Sequence, residues 1–246
     1  MPDPRAKADR KNCIVARCRI AISGNRPDPI VENSVPRIGV LISGRGSNLQ
    51  AIIDAIAEGR LRATISVVIS NVPGAAGLER ARRAGIATRE MPHRQWPSRA
   101  AYDTALADAL HEARAELVCL AGFMRLLTAT FLDRFPNRVL NVHPSLLPAF
   151  PGVGAQTQAL EHGVKVAGAT VHLVTPELDA GPIVRQAAVP VLPGDTVESL
   201  SARILVEEHR LYPLAIDAVL RGGWRIDGRR FQEDAKTTNV AGLETS

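Results

Sequence analysis

The feature that most restricts the fold is the alternation of short, wholly apolar runs with stretches of helical period. Residues 38–42 read Ile-Gly-Val-Leu-Ile, and Leu49, Ile52, Ile53 and Ile56 follow at the spacing of one helix face. Similar runs stand at 65–69, 117–121 and 139–142, separated by helical stretches at 77–84, closed by Gly85, and at 98–115. A strand with one wet face alternates apolar and polar residues, whereas a run that is apolar throughout must be covered on both faces. The pattern predicts the α/β class: an open, mostly parallel twisted sheet with helices on both faces and a Rossmann-like N-terminal half.

Beyond residue 142 the character changes. A loop rich in proline and glycine leads to a short helix at 156–161, then two strands at 169–174 and 183–191 joined by the polar turn 176–181. A long helix is expected from Asp195, with that carboxylate as its cap and Glu198 three residues on, to about Leu220. Residues 1–36 and 226–246 lack periodicity. They are expected to be a loosely ordered leader and tail around one domain at 37–225.

Charge and cysteine content narrow the function. The chain carries 30 Lys/Arg and 25 Asp/Glu, but its first 37 residues hold eight and four of these, leaving 22 against 21 in the body. A body so nearly neutral, with no basic stripe, argues against a nucleic-acid partner and for small-molecule substrates. No apolar run approaches the roughly 18 residues that cross a bilayer, so neither a membrane span nor a secretory signal is expected. Cys13, Cys18 and Cys119 match no zinc spacing and fit a reduced, cytoplasmic protein.

The segment Ser43-Gly44-Arg45-Gly46-Ser47-Asn48 joins the first strand to the first helix, where backbone N–H groups and the helix dipole favour an anion. It is not a dinucleotide fingerprint, because Leu49 stands at the third glycine position, and no Gly-Lys-Ser/Thr follows to make a Walker loop. The plainer alternative is a tight turn with Ser47 or Asn48 as N-cap.

A second constellation ends the strand at 139–142. Asn141 and His143 are two apart, so both project to one face at the carboxyl edge, where open α/β sheets bind ligands. Asp179 lies in the turn 175–182, where an acid also serves ordinary turn chemistry; spacing alone does not bring it to His143.

Four segments, SGRGSN at 43–48, LAGFMRLL at 120–127, NVHPSLLP at 141–148 and ELDAGP at 177–182, closely resemble the glycinamide ribonucleotide formyltransferase family over residues 37 to about 224. The resemblance implies the formyltransferase fold and 10-formyltetrahydrofolate as co-substrate. It implies Asn141, His143 and Asp179 as the catalytic set, with Gly46, Ser47 and Asn48 on the ribonucleotide phosphate. Arg99, Met124, Arg125, Leu126, Leu127, Asn141 and Thr175, Pro176, Glu177, Leu178 and Asp179 would border the folate. Glu207 and Glu208 both lie on or beside the apolar stripe of the last helix, and the family pattern Glu-His makes Glu208 the contact to the glycinamide amine. The family pattern starts near Pro36, which makes Val35 a candidate start and residues 1–34 dispensable.

The implied chemistry is attack of a primary amine on a formyl carbon. Asn141 and a protonated His143 would donate to the oxyanion, and Asp179 would favour that imidazolium and take the amine proton through a water. No metal is expected, since His143 has no second ligand at metal spacing. Three rivals share parts of this pattern. A formyltetrahydrofolate hydrolase would usually carry a larger N-terminal domain, a transfer-RNA formyltransferase a further C-terminal one, and a non-catalytic binding module would lack the catalytic set. The expected assembly is a monomer or homodimer. Finally, the loop 151–157 has no histidine, so its order should respond to substrates more than to pH.

Overall fold

The computed structural model describes residues 34–234; the leader at 1–33 and the end of the tail at 235–246 lie outside the described residues. The first half comprises β1 (Arg37–Ile42), α1 (Ser47–Ala57), β2 (Thr64–Ser70), α2 (Ala76–Arg83), β3 (Thr88–Glu90), α3 (Arg99–Glu112), β4 (Leu117–Leu120), α4 (Ala129–Leu132) and β5 (Val139–His143). The second comprises α5 (Ala155–Glu161), β6 (Val166–Leu173), β7 (Ile183–Pro190), α6 (Val197–Leu220), β8 (Trp224–Asp227) and β9 (Arg230–Glu233). All nine strands join one sheet in the order β3-β2-β1-β4-β5-β6-β7-β9-β8. The first five are parallel, and β6 and β7 each run antiparallel to the strand before. The expected open, mostly parallel sheet is therefore present.

The apolar runs are covered as their composition requires. Ile38, Val40 and Ile42 pack with Leu49 and Ile52 of α1 and Ile204 and Ile216 of α6, while Leu41 points to the other face among Tyr102, Leu106 and Leu110 of α3. β4 splits the same way, Leu117 and Cys119 against Val118 and Leu120. Each fully buried Leu or Ile contributes roughly 1.5–3 kcal/mol. The three-residue β3 and four-residue α4 were not expected, being too short to show a period.

Two expectations fail. The cap of α6 is Thr196, whose Oγ1 accepts from Ser199 N–H at 3.2 Å while Ser199 Oγ accepts from Thr196 N–H at 3.0 Å. Asp195 is engaged elsewhere: it accepts from Leu192 N–H at 2.7 Å and pairs with Arg203 at 2.7 Å. The expected loose tail from 226 fails as far as residue 234, because β8 and β9 form a hairpin around Gly228 and Arg229. Trp224 anchors it, 3% exposed, with its indole N–H donating to Val219 O at 3.0 Å.

The strand order also locates the site. The chain winds from β1 outward to β3, then restarts on the other side of β1 with β4. Open α/β sheets bind their ligands at the carboxyl edge beside such a reversal.

Candidate active site

The loop after β1 is held open by glycine. Gly46 has φ 72°, and a Cβ there would sit 2.7 Å from the Cα of Gly77 in α2, so neither the turn nor the packing admits a side chain. Gly46 is itself the N-cap and no side chain caps α1, which corrects the alternative of Ser47 or Asn48 as cap. Among the described residues no group accepts from the N–H of Gly46, Ser47 or Asn48. Free donors at a helix start favour an anion. Ser43 stitches this loop to its neighbours: its N–H donates to Gly122 O at 3.1 Å, and its hydroxyl donates to Asn71 Oδ1 at 2.6 Å and accepts from Met124 N–H at 2.8 Å.

Asn48 turns inward instead of capping, its Nδ2 donating to Glu208 Oε2 at 2.7 Å. Glu208 is 8% exposed; burial pushes its carboxyl above the usual range, and the Asn48 hydrogen bond offsets this only in part. Glu207 lies on the rim, paired with Arg210 at 2.7 Å, so of the two glutamates only Glu208 meets the loop. One turn further along α6, the Tyr212 hydroxyl donates to the carbonyls of Leu120 and Leu140, at 3.0 and 3.1 Å. Glu208 and Tyr212 share a helix face, so α6 fastens the loop after β1 to the strands that carry the catalytic candidates.

On β5, Leu140 and Val142 enter the core beneath α1 and α6, which sends Asn141 and His143 to the opposite face together, as their spacing predicts. The turn after β6 brings Asp179 to them, with Oδ2 3.5 Å from His143 Nδ1 and Oδ1 3.6 Å from His172 Nε2. Two backbone features make that approach. Asp179 has φ 48°, and at Gly181 a Cβ would run into the carbonyl oxygen of Leu173, so the turn folds flat against the sheet. Burial raises the pKa of Asp179, but the His172 imidazole facing it, the hydrogen bond from Gly152 N–H and the His143 ring outweigh burial and hold the carboxyl below its usual range.

His172 is the residue sequence reasoning missed. It sits opposite Asn141 across β5 and β6, its Nε2 3.3 Å from Asn141 Nδ2. The available signal was a histidine inside an otherwise apolar strand, since a buried ring needs polar partners.

The loop after β5 closes on the same group. His143 Nε2 donates to Phe150 O at 2.8 Å, and Gly152 N–H donates to Asp179 Oδ2 at 2.8 Å. Although this loop has no histidine of its own, its backbone is fastened to two titratable side chains. Phe150, like Asp179, is left-handed, with φ 52°.

The remaining candidates lie on α3, on the segment after β4 and in the turn after β6. Arg99 Nη2 donates to Leu126 O at 2.7 Å, so Arg99 holds the segment after β4. Arg125 lies over the Tyr102 ring at 5.0 Å, and Leu127 is buried. Met124, Leu126 and Leu178 are 72, 54 and 49% exposed, three of the exposed large apolar side chains among the described residues. In the turn the Thr175 hydroxyl donates to Glu177 O at 3.4 Å, with Pro176 between them. Among the described residues no group of three or more His, Cys, Asp or Glu has the geometry to hold a metal ion, and no helix is long and apolar enough to cross a membrane.

Comparison with known proteins places this geometry. A model of the formyl transferase family matches residues 36–216. Phosphoribosylglycinamide formyltransferase of Escherichia coli is 48% identical over 199 residues, 80% of this chain and 91% of that protein. The trifunctional purine biosynthetic protein adenosine-3 of Bos taurus is 48% identical over 196 residues, 80% of this chain but 19% of that protein, so the chain spans about a fifth of such relatives. The crystal structure of glycinamide ribonucleotide transformylase 1 from Symbiobacterium toebii superposes with a TM-score of 0.81 at 57% identity, covering 85% of this chain and 99% of that one. With the family pattern running from before β1 into α6, the chain belongs to the formyl transferase family.

Proposed function

We propose that this protein transfers the formyl group of 10-formyltetrahydrofolate to the amine of 5′-phosphoribosylglycinamide, a step of purine synthesis. The observation that carries the reading is the convergence of Asn141, His143 and Asp179 at the carboxyl edge of the sheet, beside an uncapped helix start. The N–H groups of Gly46, Ser47 and Asn48 receive the phosphate. Glu208, held by Asn48 through one oxygen, keeps the other for a donor on the ribonucleotide, the amine in this reading. Met124, Leu126 and Leu178 flank the folate, with Arg99, Arg125, Leu127 and the turn 175–179 behind them. The substrates are small molecules, and the setting is the cytoplasm, with the protein a monomer or homodimer.

In the reaction the amine attacks the formyl carbon, and charge develops on the formyl oxygen. The Asn141 amide donates to that oxygen. Both nitrogens of the His143 ring are engaged, so it donates to the oxyanion only when one partner yields. Phe150 is the partner that yields, because the left-handed backbone that both partners adopt suits a phenylalanine less than an aspartate, and the Asp179 carboxylate favours the imidazolium; the formyl oxygen then takes the place of the Phe150 carbonyl. Asp179 accepts a proton from the ammonium through a water. As the bond from carbon to the folate nitrogen breaks, that nitrogen takes the proton, so charge and atoms balance. An oxyanion donor of this kind is worth about 2.7–4 kcal/mol of barrier.

The test is to mix purified protein with 10-formyltetrahydrofolate, with and without the ribonucleotide, and follow deformylation. Consumption that requires the ribonucleotide and yields its N-formyl product supports the reading. Consumption independent of the ribonucleotide would make the protein a hydrolase, and no consumption a binding module.

A further inference from the structure

We infer that Arg80, on α2, is a positioning residue that aims the loop after β1 at the phosphate of the ribonucleotide; this rests on the reading of that loop as the phosphate site. In a trans peptide the C=O and the following N–H point in opposite directions, so whatever holds the carbonyl aims the amide. Two consecutive carbonyls of the loop are held by α2. Gly77 N–H donates to Gly44 O at 3.0 Å, and Arg80 Nε donates to Arg45 O at 2.9 Å. The first bond turns the N–H of Arg45 away from α2, and the second does the same for the N–H of Gly46.

The second bond comes from a side chain, which makes it separable from the fold. Arg80 also reaches α1, its Nη1 3.3 Å from Gln50 Oε1, so one planar guanidinium spans the loop and the helix whose start receives the anion. Its side chain is exposed and lines an open cleft of about 380 Å³ with Ser47, Gln50 and His209. Truncating it removes two hydrogen bonds without leaving a hole in the core. Without it the Arg45–Gly46 peptide is free to rotate, and its carbonyl can swing toward the phosphate.

Arg80→Met should raise the KM for the ribonucleotide about tenfold, the loss expected for one charge-assisted hydrogen bond. The KM for the folate should stay unchanged, with kcat at saturation falling by less than about threefold. Arg80→Lys keeps the charge but not the two-armed plane, and should fall between Met and wild type. Arg83→Met, on the same helix and bonded among the described residues only to Glu79, is the control and should match wild type. Calorimetry with the ribonucleotide and with its dephosphorylated riboside separates the role of Arg80 from that of the phosphate site. A wild-type preference for the ribonucleotide that shrinks about tenfold in Arg80→Met supports the inference. A wild-type preference that Arg80→Met leaves intact overturns the positioning role while the phosphate reading stands. No preference in the wild type overturns both. Should the Met variant fail to fold, Arg80→Lys carries the same comparison.

Discussion

Asp179 reaches His143 from a left-handed backbone: φ at Asp179 is 48°, and its Oδ2 lies 3.5 Å from the imidazole Nδ1. Strain of that kind persists where surrounding structure over-determines it, and it clusters at working sites. Asparagine tolerates the same backbone and can still accept from Gly152, so Asp179→Asn tests the charge almost alone. We expect Asp179→Asn, Asn141→Ala and His143→Ala each to lower kcat by roughly 10²-fold or more, with folate binding kept better than turnover. Steady-state kinetics with equilibrium folate titration checks this, and near-normal turnover in His143→Ala would sink the mechanism.

His172 touches both Asn141 and Asp179, so it acts on the reaction through them. His172→Gln is expected to cost about tenfold in kcat, a hydrogen bond's worth, and to leave both KM values near wild type. If kcat were unchanged while Tm fell, His172 would be a packing residue only.

Glu208 supplies a trade of stability against binding. Its folded pKa lies above the unfolded value, so the folded state holds its proton longer, and stability falls as pH rises from 4.5 through the raised value. Glu208→Gln removes that loss and can still accept from Asn48. Its Tm should exceed wild type at pH 7, by roughly 2–4 °C for each kcal/mol recovered, and match it near pH 4. Ribonucleotide affinity should fall. Thermal melts across that range would refute the idea if the variant were less stable at pH 7.

The loop after β5 gives an exchange experiment. Asp179 is depressed below 3.8, so its contribution is present above that pH and is lost as pH falls through the depressed value. The ε nitrogen of His143 carries its proton in both the ε tautomer and the imidazolium, so the bond to Phe150 survives either state. Protection of the Gly152 amide, corrected for intrinsic rates, should therefore be flat between about pH 6 and 8 and drop in Asp179→Ala. A steep dependence on pH in that interval would show that another group controls the loop.

How much of this was legible in the residues follows from the length over which each signal acts. Ile38, Val40 and Ile42 announce a doubly covered strand because five apolar residues in a row have few other homes. Asn141 and His143 share a face by a local rule. Asp179 is 36 residues from His143, and no periodicity spans that gap; family resemblance placed it there, and the geometry now supplies the reason in Gly181 and a left-handed turn. His172 escaped because one histidine in an apolar strand reads as a satisfied core residue. Asp195 and Thr196 are neighbouring good caps, and Arg203, eight residues on, decides between them.

The hairpin at the end of the sheet has a consequence for the molecule in a crowded solution. β7 meets β9 through one residue pair, Ile183 with Arg230, reinforced by an ion pair between Arg185 and Glu233. That narrow seam covers the Ile183 end of β7, while residues 184–190 have no paired strand on that flank among the described residues. A chain cut at residue 223 would keep Asn141, His143 and Asp179 in place and still turn over substrate. It would also lose the buried Trp224 and uncover the one paired position of that edge, so association through β7 should rise while its chemistry persists.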